Sequence, residues 1–320
     1  MKLAVVVGDQ PADVIRLMPA WTDARRAVPG LTVTVLGSPV ALALAARHDA
    51  VMRGIRVNMV DWAGSGWSWR QYQARRALDR ELAQIDDDAF DFVVDPLGTF
   101  ASSGLAARLP GLRCGLSGDA LAHPKLEKRY QSRFPIPGNL HPVQRHRVMF
   151  AAILDYSIFD LKPDYGLIPH LPEQVDQPEQ TVVVALDTAQ IHWNQQQLAL
   201  FKEVFAQAGV RKQAIAPEAP AAVSSHAPRD VVDAWWEAVA NSAYVIATDC
   251  PTAHLAAALG RPGLMLCRPG QAPTTGAISC RHAHQAIINL DQPEMMQMEV
   301  VAAATLKALQ RLDRLDPEQV

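Results

Sequence analysis

The sequence predicts an α/β protein of two Rossmann-like, doubly wound domains facing a cleft. Three observations carry that expectation. The chain has 320 residues, which at roughly 150 residues per domain means about two domains, each long enough to bury a core. Short β-rich runs alternate with helical patterns, the signature of βαβ units and a parallel sheet. The alternation breaks once, at 155–180, where Pro163, Pro169, Pro172 and Pro178 fall in a stretch of little periodicity; proline punctuates structure in this way. The expected boundaries are an N-terminal domain 1–160, a proline-rich linker 161–178 and a C-terminal domain 179–320.

The elements follow in order. Strands are expected at 3–7, 31–36, 55–59, 90–94 and 113–116, where apolar and β-branched residues form short runs between turn signals. Helical spacing of apolar residues places helices near 13–27, 40–47, 68–85 and 102–109, with a further one at 142–154. Past the linker, strands are expected at 181–186, 212–216, 244–247 and 263–267. The helices there fall near 195–208, 231–239, 252–259 and 299–312. In such sheets ligands bind beyond the carboxyl ends of the strands, which directs attention to the loops after 3–7, 90–94, 181–186 and 244–247.

Composition narrows the function. Apolar residues make up 49% and charged residues 20%, ordinary for a globular protein and unlike disorder, collagen or coiled coil. A net charge of −3 gives no reason to expect nucleic acid as a partner. No apolar run reaches the roughly 18 residues that would span a bilayer. The apolar run at the start stops at Gly8 and Asp9, too short for a signal peptide core. Cys114, Cys250, Cys267 and Cys280 are too scattered for a disulfide framework, so a cytoplasmic setting is expected. Charge is uneven: residues 1–160 hold 19 Lys+Arg and 16 Asp+Glu, net +3, and residues 161–320 hold 11 and 17, net −6. The halves are expected to meet different molecules.

The familiar chemical motifs are absent. There is no GxGxxG after the first strand, no GxxxxGK[ST], no GxSxG and no HExxH. Cys250, Cys267, Cys280 and His282 match no zinc spacing, and Asp86-Asp87-Asp88 reads as a solvated turn. Neither cofactor nor metal is expected.

Three segments are informative. In the first, Gly8 to Trp21, a loop follows the first strand and opens a helix near Asp13. Asp is a preferred helix cap; Asp13 is also a candidate general base, and the two roles are compatible because a helix N-terminus favours the charged carboxylate. The second, Asp249-Cys250-Pro251-Thr252-Ala253-His254, follows a strand and opens a helix. Asp249 or Thr252 could cap it, and helix N-termini also receive anions. The third runs from His123 to Arg147 and carries Lys125, Lys128, Arg129, Arg133, Arg145 and Arg147 against Glu127, net +5, with His123, His141 and His146. Such a one-signed run is either a solvated face or a surface for an anionic ligand or anionic membrane. Trp67, Trp69 and Tyr72 lie near Arg70, Arg75 and Arg76 and could add to it.

These segments together resemble the lipopolysaccharide heptosyltransferase family, glycosyltransferase family 9, and its type I members most. Ala12-Asp13-Val14 through Leu17-Met18-Pro19-Ala20, then Thr22-Asp23-Ala24 and Val28-Pro29-Gly30, is similar to the family's N-terminal block. Phe92-Val93-Val94-Asp95-Pro96-Leu97-Gly98 resembles its "VIDxQG" strand and turn. His141-Pro142-Val143-Gln144-Arg145 resembles its "HAVER" helix start. Residues 243–259 with Arg261-Pro262 resemble its nucleotide-binding block. The resemblance implies a glycosyltransferase B fold. It also implies inverting, metal-independent transfer of heptose from ADP-heptose to an anionic, lipid-linked Kdo acceptor at the inner face of the inner membrane. Asp13 then falls on the catalytic base. Asp249, Thr252 and His254 fall in the nucleotide-sugar site. Arg70, Lys125, Lys128, Arg129, His141 and Arg145 become acceptor-binding candidates.

The chain departs from the family pattern at specific places. Ala12 replaces the glycine before the base, and Ala101 replaces a lysine after the "DxQG" turn. Asp249-Cys250-Pro251 replaces "DTG", and proline has no N–H to offer a phosphate. Ile191 replaces the lysine before His192-Trp193, and Leu186-Asp187 stands near the family's threonine pair. Thr188, Arg268 or Thr274-Thr275 are candidates to compensate, and Thr188 joins the nucleotide-sugar set. Two alternatives stay open: another nucleotide-sugar donor, or a binding or regulatory protein that has lost its donor site.

Overall fold

A computed structural model describes residues 1–57, 69–83, 85, 89–167, 181–186, 196, 199–201, 203, 211–214, 227–267, 275–278, 280, 285–289 and 298–312. The chain divides into two compact units, the first Met1–Gly166 with Ser224–Val232 and the second Leu167–Val223 with Asp233–Val320.

The first unit is built on a six-stranded sheet in the order β3-β2-β1-β4-β5-β6. Its strands are β1 (Lys2–Val6), β2 (Thr32–Gly37), β3 (Val51–Arg56), β4 (Phe92–Asp95), β5 (Leu112–Leu116) and β6 (Ser132–Phe134), and its helices are α1 (Pro11–Ala27), α2 (Pro39–Ala45), α3 (Trp69–Leu82), α4 (Phe100–Ala106) and α5 (Pro142–Leu154). Every strand pair is parallel, as the βαβ alternation predicts. Strand order runs outward from β1 in one direction to β3 and from β4 in the other to β6. Right-handed crossovers therefore place the helices on both faces. The pleat explains how one strand serves both: successive side chains alternate, so Ala4 and Val6 join Leu36, Val93 and Leu105 in one buried cluster with Leu78 of α3, while Leu3 and Val5 are fully buried elsewhere.

Helix α1 packs on α5. The Arg147 guanidinium, 1% exposed, donates to Asp23 at 2.6 Å and to the backbone carbonyls of Asp160 and Leu161. Arg147 therefore leaves the basic run of the sequence and becomes an internal counter-ion. The chain exits α5 through Asp155, whose left-handed φ of 55° closes the helix.

The second unit holds a five-stranded sheet in the order β11-β10-β9-β7-β8. These are β7 (Thr181–Ala185), β8 (Arg211–Ala214), β9 (Tyr244–Thr248), β10 (Gly263–Cys267) and β11 (Gln285–Asn289), with α6 (Arg229–Ala240), α7 (Pro251–Ala258) and α8 (Met298–Leu312). All pairs are again parallel. Strands β9 and β10 are buried throughout, which is why they read as continuous apolar runs rather than alternating ones.

Several expected boundaries move. The third strand begins at Val51 rather than 55, and the fourth helix begins at Phe100 because Thr99 and Ser102 form a reciprocal capping box. Strands β6 and β11 carry no expectation: β6 is three residues inside the basic run, and β11 is a five-residue run, Gln285–Asn289. The helix expected near 195–208 and the triplet Asp86-Asp87-Asp88 lie largely outside the described residues. Among the described residues, no helix is long and apolar enough to cross a membrane.

Candidate functional site

Each sheet has its own topological switch point, where strand order reverses, with Asp13 beyond it in the first unit and Asp249 beyond it in the second. In the first unit that point is between β1 and β4, paired in parallel from Leu3↔Phe92 to Val5↔Val94. Asp13 lies just beyond β1. It is the third residue of α1 and not its cap: the cap position is Gln10, and Pro11 opens the helix, a favoured place for proline. The carboxylate reaches back and accepts the Gln10 backbone amide, the return half of a capping box.

Gly8 permits this placement. A Cβ there would sit 2.1 Å from Asp13 Oδ2 and 3.0 Å from Cγ, so the loop backbone passes directly against the carboxylate. The Asp13 side chain keeps 29% exposure, and Arg16 Nη1 stands 4.0 Å from its Oδ1 one helical turn on. A helix N-terminus by itself favours the charged carboxylate; here burial acts the other way. Burial raises the Asp13 pKa above 3.8, Asp9 adds to the rise, and Arg16 and the Gln10 amide only partly oppose it. Desolvation outweighs the dipole.

Helix α5 stands beside Arg16. His141 caps it, Nδ1 accepting the Val143 amide at 3.2 Å. Arg145 donates to the Gly138 carbonyl, and its pKa is lowered by burial and by Arg16. His146 Nδ1 lies 3.3 Å from the Arg16 carbonyl, so that nitrogen carries the proton and donates. Burial foremost, then Arg145, pushes the His146 pKa down to about 3. His146 is a neutral spacer between α1 and α5 that fixes the turn carrying Arg16.

The β4 end of the same switch point is built around a buried carboxylate. Asp95 Oδ1 accepts the Leu97 and Gly98 amides at 3.0 and 3.3 Å, and Oδ2 accepts the Tyr130 hydroxyl at 2.6 Å. Burial raises its pKa despite these donors. Asp95 therefore shapes the turn into α4. Arg129, from the 3₁₀ turn Pro124–Arg129, donates through Nη1 to the Phe100 carbonyl and the Ser103 hydroxyl. Lys125 and Lys128 of the same turn are exposed. Arg70 lies in α3.

The second unit's switch point is between β7 and β9. Asp249 and Cys250 follow β9, and the Cys250 thiol reaches the Ala185 carbonyl at the end of β7, at 3.7 Å. Asp249 Oδ1 is 3.3 Å from His254 Nε2, and Oδ2 accepts the Thr275 hydroxyl at 2.8 Å. Thr275, with Thr274 one of the candidates to compensate for the departures from the family pattern, is set on Asp249. Thr252 turns inward: it is fully buried, its hydroxyl accepts the Trp235 indole N–H at 3.1 Å, and it faces the Cys250 sulfur. Burial pushes the Cys250 thiol up to about 11, which leaves it protonated and unreactive. Pro251 holds the first helical position, and the Ala253 amide is already bonded to the Cys250 carbonyl. Thr188 lies outside the described residues. Among those described, no cluster of histidine, cysteine and acidic side chains could hold a metal.

Residues 75–304 match the model of the glycosyltransferase family 9 (heptosyltransferase) domain. Lipopolysaccharide heptosyltransferase 1 of Pseudomonas aeruginosa is 28% identical over 302 residues, 89% of this chain and 83% of that protein. The Escherichia coli heptosyltransferase WaaC with ADP superposes with a TM-score of 0.80 at 22% identity, over 98% of this chain and all of that one. WaaC with ADP-2-deoxy-2-fluoro heptose gives 0.78 over 96% and 100%, at 22% identity. The fold is that of the glycosyltransferase B type, two parallel α/β units.

Proposed function

The chain belongs to glycosyltransferase family 9, the heptosyltransferases, and on that premise we propose that it transfers heptose from ADP-heptose to an anionic, lipid-linked sugar of the lipopolysaccharide core, with Asp13 as general base. One observation carries the assignment of the base: a half-shielded carboxylate at the β1–β4 switch point, held by the Gln10 amide and pressed against the backbone of Gly8. Burial raises its proton affinity, and a base gains from a pKa closer to the working pH. Asp13 takes the proton from the acceptor hydroxyl as that oxygen attacks the anomeric carbon. The bond from that carbon to the diphosphate breaks on the opposite face, ADP leaves with the electron pair, and the sugar inverts. Arg16 balances the carboxylate before the proton arrives.

Donor binding is assigned to the β7–β9 end of the second unit, through Asp249, His254 and Thr188, with Thr252 supporting the loop from beneath. The solved relatives hold ADP and an ADP-heptose analogue, which favours adenine. Acceptor binding is assigned to Arg70, Lys125, Lys128, Arg129, His141 and Arg145 in the first unit, whose charge suits an anionic partner and peripheral contact with an anionic inner-membrane face.

A second reading is favoured by Pro251. With no N–H there and the Ala253 amide occupied, the start of α7 is poor in donors for a diphosphate. A different nucleotide sugar, or binding without turnover, would follow. Thermal shifts with ADP, UDP, GDP and CDP decide between them, since a ligand at a hundredfold excess over Kd stabilises by about 2.7 kcal/mol. The ADP-heptose reading expects the largest shift with ADP and transfer that is lost in Asp13→Asn. A larger shift with another nucleotide transfers the assignment to that donor, and no shift with any of them removes the enzyme reading.

A further inference from the structure

The first turn of α4 carries an exposed aromatic ring that the assignments above leave unused. Phe100 is 53% exposed although it sits beside the β4 end of the switch point. The Arg129 guanidinium lies 5.7 Å from its ring centroid and the His123 ring 5.6 Å away, tilted by 48°. This is a fixed arrangement. Arg129 is tied to the Phe100 carbonyl and to Ser103, and the next residue, Tyr130, is tied to Asp95. The Tyr130 ring itself fits only because residue 115 is glycine, where a Cβ would come within 2.5 Å of it. Two adjacent residues thus lock the turn and the ring into one piece.

The charge around the ring is mostly positive. Arg129 uses only Nη1 in these bonds, which leaves the donors of Nε and Nη2. His123 Nδ1 accepts the Lys125 amide at 3.1 Å, so the neutral imidazole carries its proton on Nε2, a second donor. Lys125 and Lys128 are exposed beside them. The nearby acids Glu127 and Asp119 accept the Gly118 and Gly138 amides and keep their charge, and Asp95 is buried, so the turn Pro124–Arg129, with Lys125, Lys128 and Arg129 against Glu127, stays net positive. An apolar ring face bordered by donors and cations suits a ligand that has an apolar face and a negatively charged edge.

We propose that Phe100, with Arg129 and His123 at its border, is a stacking platform for a negatively charged pyranose, and so a specificity determinant for the acceptor. The C–H face of the sugar lies on the ring, and its carboxylate or phosphate meets Arg129 and the lysines. The inference rests on the acceptor-side reading of the first unit.

The test uses the full chain and three probes: Kdo, whose charge is a carboxylate, N-acetylglucosamine 1-phosphate, and neutral N-acetylglucosamine. Binding is followed by NMR titration in the wild type, Phe100→Ala and Phe100→Tyr. At least one anionic sugar should bind, more tightly than the neutral one. Phe100→Ala should weaken it about tenfold and Phe100→Tyr by no more than about twofold, the order expected of a ring contact. ADP binding should be equal in all three, which a general loss of structure would not allow. Preference for Kdo or for the phosphate identifies which charge is read. Equal binding by Phe100→Ala, equal binding of the neutral sugar, or no saturable binding of either anion overturns the platform. Heptose transfer is measured in parallel. Transfer absent with the sugar pattern intact removes the heptosyltransferase reading alone; transfer present with an acceptor KM unmoved by Phe100→Ala removes the platform alone.

Discussion

Replacing Gly8 by alanine tests how the proposed base is positioned. The new methyl would stand 2.1 Å from Asp13 Oδ2, 3.0 Å from Cγ and 3.2 Å from Cβ. Ordinary contact begins at 3.4 Å, so the carboxylate oxygen must retreat by about 1.3 Å. The retreat is inexpensive for folding, because the clashing atom is the end of a side chain that keeps 29% exposure and can rotate. Gly8 is not among the positive-φ glycines, so alanine is admitted by the backbone and even gains about 0.4–1 kcal/mol from a less disordered unfolded chain. For a base, a displacement of this size is severe: an error of about 1 Å can cost on the order of a hundredfold. Gly8→Ala should therefore lower kcat by about a hundredfold while the melting temperature changes little and the Kd for ADP stays as in the wild type. Steady-state transfer kinetics, calorimetry and nucleotide titration measure the three quantities. A variant that retains wild-type kcat would refute the reasoning, since either the glycine does not position Asp13 or Asp13 does not take the proton.

Asp13→Asn should abolish transfer and still fold. Because the folded pKa is raised, the folded state binds more protons than the unfolded state between 3.8 and that raised value, and stability falls as pH rises through this window; the melting temperature of Asp13→Asn should equal or exceed the wild type at neutral pH, and a lower value there would contradict the sign. The acid limb of kcat/KM should lie above the usual carboxylate range, and a limb at or below 3.8 would remove Asp13 from that role. Arg147→Met leaves Asp23 and two carbonyls without their donor, so unfolding by denaturant should show a loss of about 3–5 kcal/mol; an unchanged midpoint would mean that the clamp is dispensable. Thr252→Val removes the acceptor of the buried Trp235 indole N–H, with an expected loss of about 1–3 kcal/mol in the same experiment.

The sequence by itself determined the elements whose pattern is local. Helix α5 is bounded by His141-Pro142 and Asp155 and is legible to the residue, because proline at its first position and the burial period both lie within the window read. Strands β9 and β10 are legible because strands buried on both faces are apolar along their whole length. The places of Asp13, Asp95 and Asp249 at or just beyond the ends of strands were legible from the alternation. What each does was decided by tertiary structure, because it depends on partners far along the chain. Asp95 meets Tyr130, Asp249 meets Thr275, and Arg147 meets Asp23 across 124 positions. No periodicity encodes those pairings. The same reason separates two cations that look alike in the basic run: Arg147 is spent inside the first unit, while Lys128 is left at its surface. The Asp13 pKa illustrates the limit most directly. A helix N-terminus is visible in sequence and argues for a lowered value, but the desolvation that overrides it exists only once the Gly8 loop has closed against the carboxylate.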